Sequence, residues 1–198
     1  MKKWMVIALT LIVTFGMVPV SLGTAVPYGQ ELVNSGDTYT PMSFSDVPDS
    51  YWAYQYISAV AARHIMTGYP DGKFRPDRII TRAEFAALLV KGFGLPVQKA
   101  NYSSFSDIKP TDWESPWAEA TKDYLNSYVV GGRLMFKPNM TISREDVAKA
   151  LVKARGYDIR LADCSTIEAM FTDYDGISQA SRPYVALAIE NGLMSGYP

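Results

Sequence analysis

Apolar positions along this chain recur with the period of helices, and they do so in blocks that come back. Phe85, Leu88 and Leu89 fall on one helical face, and Val147, Ala150 and Leu151 repeat the stripe further on. Each stripe follows a start signal. Thr81-Arg82-Ala83-Glu84 has the form of a capping box, and Ser143-Arg144-Glu145-Asp146 is a weaker version of it. A shorter helix is predicted upstream of each. The first is expected to be capped by Ser50 and to bury Trp52, Tyr56, Val60 and the Ala59 to Ala61 patch. The second is expected to be capped by Ser115, with Pro116 at the first helical position, where its missing N–H costs nothing. Ser181 and Pro183 take the same parts in a third helix.

Between the paired helices lie turn residues: Gly68, Pro70 and Gly72 in one block, Gly131, Gly132 and Pro138 in the next. Asp71-Gly72 fails as a calcium loop, because Lys73 and Arg75 stand where oxygen ligands are needed. Phe74 and Phe136 are predicted to plug the loops into the core. The blocks themselves repeat: Phe44, Phe105 and Phe171 lie 61 and 66 positions apart (44 to 105, 105 to 171), each two residues before an aspartate, Asp46, Asp107 or Asp173. The chain therefore reads as an all-α protein of helix-loop-helix units over 43–95 and 104–156, with a shortened third unit over 170–198.

Ahead of the units, Lys2 and Lys3 precede an uncharged apolar run from Trp4 to about Val20, followed by the small residues Ser21, Gly23 and Ala25. This predicts a secretory signal over 1–25 and a linker over 26–42, with no membrane association once the signal is cleaved; the length of the run leaves an uncleaved anchor as the alternative, against which Pro19 and the small residues speak. Composition adds exclusions. At 198 residues, 48% apolar and a formal net charge of −1, the chain can bury a core, and global charge favours neither nucleic acid nor an anionic surface. Cys164 stands alone, so no intramolecular disulfide staples the fold, and it is read as a buried apolar filler. The single histidine, His64, is placed on a helix surface and completes neither a serine or cysteine triad nor an HExxH zinc site. No pair of carboxylates stands out from the repeat background for glycoside hydrolysis. A non-catalytic protein without metal or cofactor is the expectation.

The capping boxes leave Arg82 and Arg144 unexplained. A cation in the first helical turn is mildly unfavourable, by about 0.3–1 kcal/mol. A guanidinium beside the open amides of a helix start is, however, suited to a carboxylate or phosphate. Its recurrence in two units favours an anion site over an arginine folded onto the surface or paired with an acid such as Asp46.

These residues resemble the S-layer homology family, whose aromatic-Asp start, WA helix, GYPDGxFxP loop and ITRAE helix are matched nearly letter for letter by Phe44 to Leu89. The second unit departs with GGRLMFKP and SRED, and the third lacks the tryptophan and the second half. The resemblance implies a pseudo-threefold helical spindle, here with an incomplete third unit, in an exported protein attached to the bacterial wall or S-layer. It implies non-covalent binding of secondary cell-wall polysaccharide, often through a pyruvylated sugar. Carried over residue by residue, it implies Asp46, Trp52, Gly68 and Arg82 as ligand contacts in the first unit and Asp107, Trp117, Gly131 and Arg144 in the second. The tryptophans read equally as core. Trp113 shares the offset of Trp52 from the unit's phenylalanine, whereas Trp117 shares its following alanine. Arg82 is expected to lie outside the apolar stripe and to matter little for folding. A structural or protein-binding envelope module without carbohydrate binding is the alternative. Because the third unit stops at Pro198, a spindle built this way would leave Phe85, Leu88, Leu89, Val147 and Leu151 partly uncovered, which implies self-association or reduced stability.

Overall fold

The aspartate of each unit start is a clamp. In the computed structural model, which describes residues 43–97 and 101–195, one carboxylate oxygen of Asp46 accepts from the Phe74 amide at 2.8 Å and the other from the Arg75 amide at 2.7 Å. Asp107 does the same to Phe136 and Lys137, at 2.8 and 2.7 Å. A carboxylate that takes two successive backbone donors fixes both the position and the direction of the loop. Arg75 and Lys137 both adopt left-handed backbone there, with φ of 59° and 58°. The two loops thus make one turn. Phe44 packs on Phe74 with ring centroids 5.1 Å apart, and Phe105 on Phe136 at 5.2 Å. Phe74 and Phe136 are fully buried, as plugs must be.

Around these clamps the chain runs α1 (Tyr54–Ala62), α2 (Arg82–Phe93), α3 (Ser115–Ala120), a two-stranded hairpin of β1 (Tyr128–Val130) and β2 (Arg133–Met135), α4 (Arg144–Arg155), α5 (Cys164–Met170) and α6 (Arg182–Glu190). Single 3-10 turns cover Ile159–Leu161 and Tyr174–Gly176. The fold is mostly helical, as expected; the hairpin, α5 and the two 3-10 turns are additions to the expected elements. Gly131 and Gly132, at φ of 57° and 75°, supply the two left-handed positions of a two-residue turn that matches strand twist. Val129 thereby pairs with Leu134.

The long helices start as the sequence predicts. Thr81 accepts from the Glu84 amide at 3.2 Å and the Glu84 carboxylate takes the Thr81 amide at 2.8 Å, completing the capping box. Ser143 caps α4 by accepting from the Asp146 amide at 3.1 Å, but its own hydroxyl donates to the Asp146 carboxylate. Gly94 and Gly156 close the two helices in left-handed conformation. Of the short helices, α6 keeps its expected cap position at Ser181, α1 starts later than expected and α3 one residue earlier. Turns at Pro48–Tyr51 and Tyr51–Tyr54 occupy the region of Ser50, so Ala53 is the cap position of α1 and Trp52 lies outside the helix. At α3 a turn from Asp112 to Ser115 leads straight into the helix, so the cap position is Glu114, one residue before Ser115, and Pro116 is the second helical residue.

Second helices pack against the first helices that follow them: α2 on α3 and α4 on α6, with α2 also touching α4. Ile57, Val60, Phe85, Leu89, Leu151 and Leu187 belong to one continuous core. Phe85, Leu88, Leu89, Val147 and Leu151 are all buried. The expected uncovered apolar face is therefore absent among the described residues, because neighbouring units cover it. Cys164 is half-buried at the first position of α5 rather than enclosed, and His64 is an exposed left-handed residue just past α1. The expected signal and linker, 1–42, lie outside the described residues. Within those residues no helix is long and apolar enough to cross a membrane.

Candidate functional site: the junctions between units

Loop carbonyls of the second unit converge on the start of α2. The Arg82 amide donates to Met140 O at 2.8 Å and the Ala83 amide to Pro138 O at 3.1 Å, while Thr81 and Thr141 form a bridge. The Arg82 side chain adds two more carbonyls, Nε to Phe136 O at 2.9 Å and Nη2 to Asn126 O at 2.5 Å. Its Nη1 lies 3.6 Å from the Asp146 carboxylate, which also receives Asn126 Nδ2 at 2.8 Å. The guanidinium sits 5.1 Å from the Tyr128 ring centre and 5.0 Å from that of Phe136. Arg82 is 0% exposed. From the sequence it is expected to lie outside the apolar stripe and to matter little for folding; the structure encloses it, and carbonyl dipoles and one carboxylate, all from the next unit, balance a cation at the positive end of a helix.

Arg144 occupies the corresponding place on α4 but a different environment. It is half-buried, and Nη2 donates to Ser195 O at 2.6 Å at the surface. Glu145 beside it accepts from Ser178 Oγ, and Ser178 Oγ lies 2.5 Å from Ser181 Oγ. Partial burial works against the Glu145 carboxylate, but hydrogen bonds from Ser178 and Ser181, with Lys149 nearby, hold its pKa below the ordinary value. At the first junction, burial raises the Tyr128 phenol against the opposing pull of Arg82, with Asp146 reinforcing the rise. That ring stays neutral at physiological pH.

The other expected contacts divide by accessibility. Trp52 is 46% exposed with Tyr51 tilted beside it, ring centroids 6.0 Å apart. Its structural counterpart is Trp113, 60% exposed, since each immediately precedes the cap position of its helix. Trp117 instead lies inside α3, half-buried, with Lys91 Nζ 5.9 Å from its ring centre. Asp46 and Asp107 are committed to their loop clamps. Gly68 has a steric reason to be glycine: a Cβ would fall 2.5 Å from Phe44 Cε1 and 2.8 Å from Lys73 O, at φ +70°. Gly131 has only the backbone reason, with open space around it. Asn126, Tyr128, Asp146 and Trp113 are absent from the sequence-derived set. No local signal marks the first three, whose contacts with Arg82 span tens of residues. The offset from Phe105 did mark Trp113.

Comparison with known proteins places these junctions in context. The profile of the S-layer homology domain matches residues 43–86 and 171–198. A cellulosome-anchoring protein of Acetivibrio thermocellus is 33% identical over 57% of this chain and 26% of its own length. The S-layer protein of Bacillus thuringiensis subsp. finitimus is 31% identical over 60% of this chain and 14% of its own. Exoglucanase XynX of Acetivibrio thermocellus is 30% identical over 83% of this chain and 15% of its own length. The chain thus spans only a small part of these relatives.

Proposed function

Because the chain carries S-layer homology domains, we propose that it is a non-catalytic module that attaches an exported protein to the cell wall by binding secondary cell-wall polysaccharide. One observation supports this reading above the rest. Similar sequence recurs in relatives named as an exoglucanase, an amylopullulanase, a cellulosome-anchoring protein and an S-layer protein, and in the exoglucanase and amylopullulanase it occupies 15% and 8% of their length. Proteins that differ in chemistry but share a minor segment share placement, not catalysis. The second unit, which has the same aspartate clamp and left-handed turn as the first, belongs to the same repeat.

Within this reading the ligand is a carboxylate-bearing sugar such as a pyruvylated residue. Half-buried Arg144 at the second junction offers donors for such a carboxylate, and Trp52, in the first unit, exposes an indole face of the kind that covers a sugar ring. Gly68 keeps the first unit's loop close to Phe44, Asp46 holds that same loop, and Asp107 holds the loop that meets the start of α2. A pseudo-threefold spindle is the arrangement proposed for units joined this way. Co-sedimentation of the purified protein with isolated walls tests the reading. Binding is expected to intact walls and lost from walls stripped of secondary polymer; equal binding to both would favour a protein-binding envelope module.

A further inference from the structure

We infer that Arg82 is a positioning residue: it holds the second unit's loop, 126–140, in its binding shape without itself touching ligand. The inference rests on the wall-polymer reading for what the loop binds, but its structural half stands alone. Four carbonyls of that loop, at Asn126, Phe136, Pro138 and Met140, point at one helix start. Four carbonyl oxygens turned the same way repel one another, and a helix N-terminus alone supplies amides for only two of them. The guanidinium fork takes the other two, and its planar geometry reaches carbonyls separated by ten residues of chain.

The network also has a far end. Asp146, facing the same guanidinium, binds Asn126 through its side chain and receives the Ser143 hydroxyl at the start of α4. The start of α2, the loop and the start of α4 are therefore one connected assembly. A lysine at position 82 keeps the charge but offers one compact ammonium, which cannot bond Phe136 O and Asn126 O in this geometry while sitting between the rings of Tyr128 and Phe136. The loop then loses its fixed shape even where the charge survives.

Amide hydrogen exchange on the intact chain, read together with polymer binding, tests this. In Arg82→Lys the amides of Tyr128–Met135, Phe136 and Lys137 are expected to exchange about tenfold faster or more, with those of α6 near wild type. Polymer binding should fall in the same variant. Asp146→Asn, a milder change that keeps the side chain's shape, is expected to show a smaller acceleration in the same segment, and Arg144→Lys none there. Weakened binding with unchanged exchange over 126–140 would make Arg82 a direct contact and overturn the inference. So would acceleration spread evenly over the whole chain, or a loosened loop with full binding. Failure of the wild-type protein to bind polymer would instead sink the wall-polymer reading, while the exchange pattern still decides whether Arg82 holds the loop.

Discussion

Two junctions in this molecule begin with nearly the same letters, Thr-Arg at α2 and Ser-Arg at α4, and use them differently. At the first, the arginine is enclosed by two carbonyls, a carboxylate and two aromatic rings. At the second, Arg144 donates to the Ser195 carbonyl at the surface, and Glu145, Ser178 and Ser181 form a hydrogen-bonded group of their own beside it. The helix start is constant; what lies beyond it is not. A motif letter therefore fixes where a side chain begins, and the neighbouring unit fixes its role.

The largest expected effect breaks the first junction. Arg82→Ala should destabilise the fold by about 3–5 kcal/mol, the cost of leaving a buried carboxylate and carbonyls without their partner, whereas Arg144→Ala should cost about 0.5–1.5 kcal/mol, as for one hydrogen bond. Urea unfolding of both variants measures the difference; equal losses would mean that the two junctions are alike. Next come the turn glycines of the two loops. Gly68→Ala combines a left-handed backbone with close contacts and should cost about 2–4 kcal/mol, against about 1–2 kcal/mol for Gly131→Ala, which has space. Thermal melts that rank them the other way would contradict the steric account of Gly68.

A third comparison concerns the clamps. Asp46→Ala and Asp107→Ala should each cost about 1.5–3 kcal/mol, because two charge-assisted backbone bonds are lost in either case; a large disparity would show that the units do not share one device. The smallest effect lies at the second junction. The Glu145 pKa is depressed in the fold, so the stability its carboxylate contributes is present above the unfolded pKa, about 4.3, and disappears as pH falls through the lower folded value. Ser178→Ala should remove about 0.5–1 kcal/mol near neutral pH, discounted for solvent screening, and the gap from wild type should narrow below about pH 4. A gap that widens on acidification would reverse the assigned sign.

How much of this was legible in the sequence depended on how far each interaction reaches. The capping box at Thr81, the apolar stripes and the plugs at Phe74 and Phe136 are local patterns or exact repeats, and the structure contains them. The cap expected at Ser50 fails because turns over Pro48–Tyr54 take up the first residues of the predicted α1, whereas Ser115 misses the cap of α3 by one residue, the turn from Asp112 running directly into the helix. The hairpin was hidden in a loop recognised only by its glycines. Arg82 was the instructive failure. Its partners at Asn126 and Phe136 lie 44 and 54 residues away, so a helix start that looked open to an anion was already filled by another unit's carbonyls. Trp113 was separable from Trp117 once the helix start was known, since an indole before a cap and an indole inside a helix face different surroundings.

The central claim is that this module recognises an acidic wall sugar, and calorimetric titration of the purified chain tests it most directly. Two ligands are compared: secondary wall polymer carrying its pyruvyl groups and the same polymer after their removal. The account predicts saturable binding to the first and at least about tenfold weaker binding to the second, equivalent to about 1.4 kcal/mol for the lost carboxylate contact. Equal affinity for the two polymers, or none for either, would contradict it.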